Sequence, residues 1–171
     1  MRFLLPLLLA LVVCAPSRPA AQQTAPAVEA SRYVGLRHDG RKLPAGLKSV
    51  GGALVSHPYE DAEQYGLAEV HRGRVRMLWF DRMTHRDSAG NPYWEVKDVL
   101  VLPRIPRRQL LSYANCYSGK KPDGEIVAFV EYTDTEFLTR VRRAWRASRK
   151  TGKFEVIPAR GIKCTNEGYG M

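Results

Sequence analysis

Four histidines, three cysteines and 17 acidic residues are a sparse supply of chemistry for a chain of 171 residues. The histidines (His38, His57, His71 and His85) are dispersed, and no Cys-x-x-Cys or His-x-x-x-His pair occurs, so the spacing offers no zinc site. A Gly-x-x-x-x-Gly-Lys phosphate loop, a Gly-x-Ser-x-Gly elbow, a metalloprotease helix and an Asn-x-Ser/Thr acceptor are all missing. The sequence therefore gives no reason to expect a metal or a cofactor. Hydrophobic runs are short as well. The apolar stretch Phe3–Val13 has eleven residues, against the roughly 20 that a bilayer-spanning helix needs.

That stretch has another use. Arg2, the apolar run and the small residues reaching Ala21 are the three parts of a secretory signal, so residues 1–21 are expected to be a signal peptide. The expected destination is the periplasm or the extracellular medium. A rival reading makes Cys14 an acylated lipoprotein cysteine, although Val13 is larger than the residue such a site prefers. Residues 22–31 lack bulky apolar side chains apart from Val28 and read as a flexible leader, and residues 32–171 suit one domain.

What the chain has in excess is positive charge. Its 27 basic and 17 acidic side chains give +10; without Arg2 and Arg18 the mature protein carries 25 and 17, or +8. Such a charge favours anionic partners: an envelope polysaccharide, lipid head groups, an acidic protein or, less favoured, nucleic acid. Two cysteines remain after processing, Cys116 and Cys164, and in an oxidising compartment they are expected to form a disulfide.

Strand signals dominate the middle. Arg74–Arg86 and Tyr93–Leu102 are rich in β-branched and aromatic residues and flank the turn formers Asp87-Ser88-Ala89-Gly90-Asn91-Pro92, which predicts a long hairpin. With Leu67–His71 before it, and Gln109–Tyr117 and Glu125–Tyr132 after it, the pattern predicts an antiparallel meander of about five strands. A short helix is expected over Tyr59–Tyr65, ended by Gly66, and a last strand over Phe154–Ile157. Arg32–Gly52, broken by glycines, reads as loops with one short strand.

One long helix is expected over Asp134–Lys150. Thr133 and Glu136 have capping-box spacing, and Phe137, Leu138, Val141, Ala144, Trp145 and Ser148 fall on one helical stripe. The fold class expected from sequence is thus α+β, with this amphipathic helix packed on one face of the meander.

Three functional readings follow. In the first, a non-catalytic exported protein binds an anion through Arg142, Arg143, Arg146, Arg149 and Lys150 on the polar helix face, unless acids on neighbouring elements neutralise them. In the second, a small secreted hydrolase or nuclease uses His85 with Asp87 or Glu95. A symmetric hairpin would also set Asp81 opposite Asp98, a carboxylate pair suited to acid–base work. The third reading is an inhibitor of an extracellular enzyme that presents the Ser118–Gly124 loop with Lys120 and Lys121.

Overall fold

A computed structural model describes residues 29–55 and 63–170. The expected signal peptide, Cys14, most of the leader and residues 59–62 of the expected short helix lie outside them. The described residues form thirteen strands in three antiparallel sheets, with a single helical turn at residues 29–31. None of their helices is long and apolar enough to cross a membrane.

Sheet A joins β1 (Arg37–His38), β2 (Leu47–Leu54), β3 (Tyr65–Arg72), β4 (Val75–Arg86) and β5 (Pro92–Leu102) in the order β1-β5-β4-β3-β2. The predicted hairpin is β4–β5, at its centre. Sheet B joins β6 (Gln109–Tyr113), β9 (Ile126–Glu131), β11 (Val141–Ser148) and β12 (Lys153–Ile157) in the order β12-β11-β9-β6. Sheet C holds β7 (Cys116–Ser118), β8 (Lys121–Pro122), β10 (Phe137–Leu138) and β13 (Ile162–Thr165).

The expected α+β class is overturned, because no helix occupies Asp134–Lys150. Those residues form a bend, β10 and β11. The reason lies in what covers β11. Trp145 and Ala147 face sheet A in a core with Leu67, Leu78, Phe80, Val127 and Phe129. Ala144 faces sheet C, in a second core with Ile126, Ala128, Val130, Leu138 and Ile162. A strand covered on both faces loses its alternation of apolar and polar residues, so here the apolar positions fell on a helical period by coincidence. The neighbouring β9, Ile-Val-Ala-Phe-Val from 126 to 130, is buried throughout for the same reason.

The five-strand meander also breaks. Pro103 and Pro106 cannot donate to a ladder, and the chain leaves sheet A there to start β6 against β9. Gln109–Tyr117 is not one strand either. Ala114 has a left-handed φ of 63°, which costs a residue with a Cβ about 1–2 kcal/mol, and at that point the chain passes from sheet B to β7 of sheet C. Tyr65 and Gly66, expected at a helix end, begin β3. The glycine-broken stretch Arg32–Gly52 holds β1 and most of an eight-residue edge strand, β2. Its Gly52 is needed there, since a Cβ would lie 2.5 Å from the Leu67 carbonyl oxygen of β3.

The Cys116–Cys164 disulfide is formed, joining directly paired residues of β7 and β13, both buried in the second core. On the outer face of sheet A a third core gathers Val70, Met77, Trp79 and Val96 beneath Ala30 and Tyr33. The last residues assigned to the leader are therefore packed. Ala30 is buried, and Glu29 pairs with Arg72.

Candidate functional site

The basic cluster expected on a helix face is divided by its strand. Arg146 extends both arms of its guanidinium to acids, Nη2 donating to Asp123 Oδ2 at 2.7 Å and Nη1 to Glu125 Oε2 at 2.9 Å. Arg149 Nε donates to Glu125 Oε1 at 2.7 Å. Arg142 sits at a bulge between Val141 and Arg143, and its Nε donates to Glu131 Oε1 at 2.8 Å. That bond, together with the charges of Arg142 and Arg140, holds the Glu131 carboxyl below its usual range. Three of the five expected binding residues thus have acid partners on β9 or just before it. Arg143 and Lys150 have none among the described residues.

Arg143 has basic neighbours instead. With Arg104 and Arg142 it lines a cleft of about 430 Å³ beside Pro103, Ile105, Pro106 and Phe129, in which Glu131 is the one acid. Arg104 also borders a second hollow with Arg74 and Arg76. Arg107 and Arg108, exposed, continue the same connection. Arg74, Arg104, Arg107, Arg108 and Arg143 have no ion-pair partner among the described residues, so the two hollows, which share Arg104, and the connection that follows it carry an arginine rim in excess of its acids.

The His85 residues do not converge on a reacting centre. His85 is exposed and stacks on Tyr93, ring centroids 4.7 Å apart. The Asp87 carboxylate accepts from Asn91 Nδ2 (2.9 Å), Asn91 N–H (2.8 Å) and Ala89 N–H (2.9 Å), which lowers its pKa and commits it to the turn. Glu95 accepts from Lys97 Nζ at 2.9 Å, opposite Arg82 in the ladder. The Ser118–Gly124 stretch is a tight β7–β8 hairpin followed by a turn in which Asp123 N–H donates to the Cys116 carbonyl (2.9 Å), rather than an extended loop.

Asp81 and Asp98 do not face each other. The register shifts between Phe80 and Asp81, so Asp98 pairs with Phe80 and Asp81 with Val96. A one-residue slip sends side chains to opposite faces. Asp98 points to sheet B, where it accepts from Phe154 N–H at 2.8 Å. Asp81 points to the outer face, where it meets a residue that sequence reasoning left among the scattered histidines: His38.

His38 Nε2 lies 3.4 Å from Asp81 Oδ2, and both side chains are almost fully buried, 3% and 4% exposed. Gly40 N–H donates to His38 Nδ1 at 3.1 Å, which leaves the ring proton on Nε2, toward the carboxylate. Gly40 reaches that position with a φ of 74°. The Nε2 contact is too poorly aligned to be a hydrogen bond. Among the described residues three buried side-chain atoms lack a partner, His38 Nε2, Trp79 Nε1 and Asp81 Oδ1, and all three belong to this cluster. The His38 ring lies 5.4 Å from that of Trp79. Burial raises the Asp81 carboxyl above its usual range, and His38 only partly offsets this.

A cleft of about 330 Å³ opens on the pair, lined by His38, Gly40, Ser49, Gly51, Gly52, Ala53, Leu54, Gly66, Leu67, Ala68, Asp81 and Trp94. Ser49 makes no catalytic triad there, because the nitrogen that would accept its proton is already bonded to Gly40. The signals in the sequence were the Asp39-Gly40 turn and the small residues at 51–53 and 66. The partnership of residues 38 and 81 depends on β1 pairing with β5, and a two-residue strand has no period to read. No three His, Cys, Asp or Glu side chains gather as a metal site among the described residues. Comparison with protein-family models, with curated proteins and with solved structures finds no match.

Proposed function

We propose that this is an exported, non-catalytic protein that binds an anionic partner through the arginine rim of Arg74, Arg104, Arg107, Arg108 and Arg143. The supporting observation is the unequal distribution of acids. Arg142, Arg146 and Arg149 are matched by Glu131, Asp123 and Glu125, whereas the rim arginines have no such partners among the described residues. Several like charges held close together are unfavourable unless a counter-charge arrives, and guanidinium forks suit phosphate, sulfate and carboxylate groups. The excess of basic over acidic residues and the signal-like first 21 residues support a counter-charge carried by a partner met outside the cytoplasm.

The test is a salt titration of binding to phosphatidylglycerol vesicles, to a sulfated polysaccharide and to RNA. Binding to one of them should weaken steeply between about 50 and 300 mM salt. The Arg104→Glu/Arg143→Glu pair should weaken it about tenfold or more, whereas Lys150→Glu, away from the rim cleft, should leave it nearly unchanged. Equal binding by the double variant, or no binding to any of the three at low salt, would end this reading.

A further inference from the structure

A cleft of about 390 Å³ touches the edges of both large sheets, bordered by Gly52 and Ala53 of β2 and by Ser112 and Tyr113 of β6. Glu69, Arg76 and Glu167 also line it. Its most telling group is Ser112. This residue is only 7% exposed, and its hydroxyl makes no hydrogen bond among the described residues, although native proteins rarely leave such a group unpaired. Its oxygen is not one of the three sealed, unpartnered atoms of His38, Trp79 and Asp81, so it opens to the cleft. The hydroxyl of the half-buried Tyr113 is unbonded too; burial and the charges of Glu69 and Glu167 raise its pKa and keep it a donor. Acceptors are also spare. Glu69 Oε1 collects His71 Nε2 (2.9 Å), Arg76 Nε (3.0 Å) and Arg76 Nη2 (2.7 Å), which leaves Oε2 without a donor. Against its burial, those bonds hold the Glu69 carboxyl below its usual range, so it is ionised at neutral pH. Glu167 Oε1 accepts from Asn115 Nδ2 at 2.9 Å, and its Oε2 has no donor among the described residues.

We propose that this cleft binds a neutral saccharide, whose hydroxyls accept from Ser112 and Tyr113 and donate to Glu69 Oε2 and Glu167 Oε2. The balance of groups decides the class. Hydroxyl donors and ionised acceptors line one hollow, and a sugar hydroxyl is donor and acceptor at once. Its bonds to the carboxylates are charge-assisted, roughly twice as strong as neutral ones. A phosphate or carboxylate ligand would be repelled by Glu69 and Glu167. An ammonium ion suits the carboxylates, but it offers no acceptor to the two hydroxyl protons and meets the Arg76 guanidinium. Exposed Leu110, beside these groups, gives the C–H face of a sugar ring an apolar contact.

The experiment titrates the full mature protein, labelled with nitrogen-15, with the neutral sugars cellotriose, mannotriose and triacetylchitotriose. At least one should bind saturably and shift the amide resonances of Leu111, Ser112, Tyr113 and Asn115. Ser112→Ala and Tyr113→Phe should each weaken that sugar about three- to tenfold. Neither should lower the urea midpoint, because neither hydroxyl is bonded in the free protein. An open strand edge can also take an extended peptide, which bonds to backbone groups. Resonances of β6 that move with a pool of unstructured pentapeptides and with none of the three sugars would overturn the proposal. So would sugar binding of equal strength in the wild type and both variants, or no saturable shift at all.

Discussion

Replacing Asp81 by asparagine should make the protein more stable at neutral pH. The carboxylate is nearly inaccessible, its Oδ1 has no partner, and the nearby His38 Nε2 is off-line. A buried acceptor without a partner costs about 1–3 kcal/mol, and more when charged. Asparagine removes the charge and keeps the shape, but it brings an NH2 group that also lacks partners. The expected gain therefore lies toward the lower end of that range, about 1–2 kcal/mol. The pH dependence follows from linkage. Burial raises the folded-state pKa above the ordinary 3.8, so the folded protein holds the Asp81 proton more tightly than the unfolded chain. The contribution of this group to stability is then greatest below pH 3.8 and falls as pH rises through the raised value. Above that value the loss is constant. Asparagine does not titrate, so its advantage over the wild type should be small near pH 3.5 and full above the raised pKa. Urea unfolding of both proteins across that interval, with the disulfide intact, measures the difference while other acid-sensitive groups cancel. A variant less stable at pH 7.5, or a difference independent of pH, would refute the account of Asp81 as a buried, underpartnered charge.

Three further outcomes test the architecture. The Cys116→Ala/Cys164→Ala variant should lose about 4 kcal/mol, the chain-entropy value for a separation of 48 residues, read as a lower urea midpoint that reduction of the wild type reproduces. Phe80→Ala should cost about 3–5 kcal/mol, because Phe80 is fully buried between sheets A and B and packs on Tyr65 and Phe154. Far-ultraviolet circular dichroism of an Ala144→Pro variant should show lost strand content and a lower melting temperature, since Ala144 lies inside β11 between Ala128 of β9 and Ile157 of β12; no change would contradict the β12-β11-β9 ladder.

Local chemistry made some elements legible. The β4–β5 hairpin could be read from its turn formers and β-branched arms, β9 from its apolar run, and β12 from the short stretch Phe154–Ile157. Asp134–Lys150 was misread because Phe137, Leu138, Val141, Ala144, Trp145 and Ser148 match a helical period, while the layers that bury β11 on both sides are remote in sequence. The sequence shows the arginines and leaves open which of them acids on neighbouring elements neutralise. Asp123, Glu125 and Glu131 lie 11 to 24 residues from their partners and meet them only through the β9–β11 ladder.

By itself, then, the sequence determined the charge, the turn positions, the two long strands and the cysteine pair. These depend on residue type and on neighbours a few positions away. Tertiary structure alone decided that residues 141–148 extend rather than coil, that Asp81 and Asp98 part company at a bulge, and that His38 arrives beside Asp81. Each of those outcomes was settled by burial against a distant layer, and burial is a property of the assembled sheets rather than of any window of the chain.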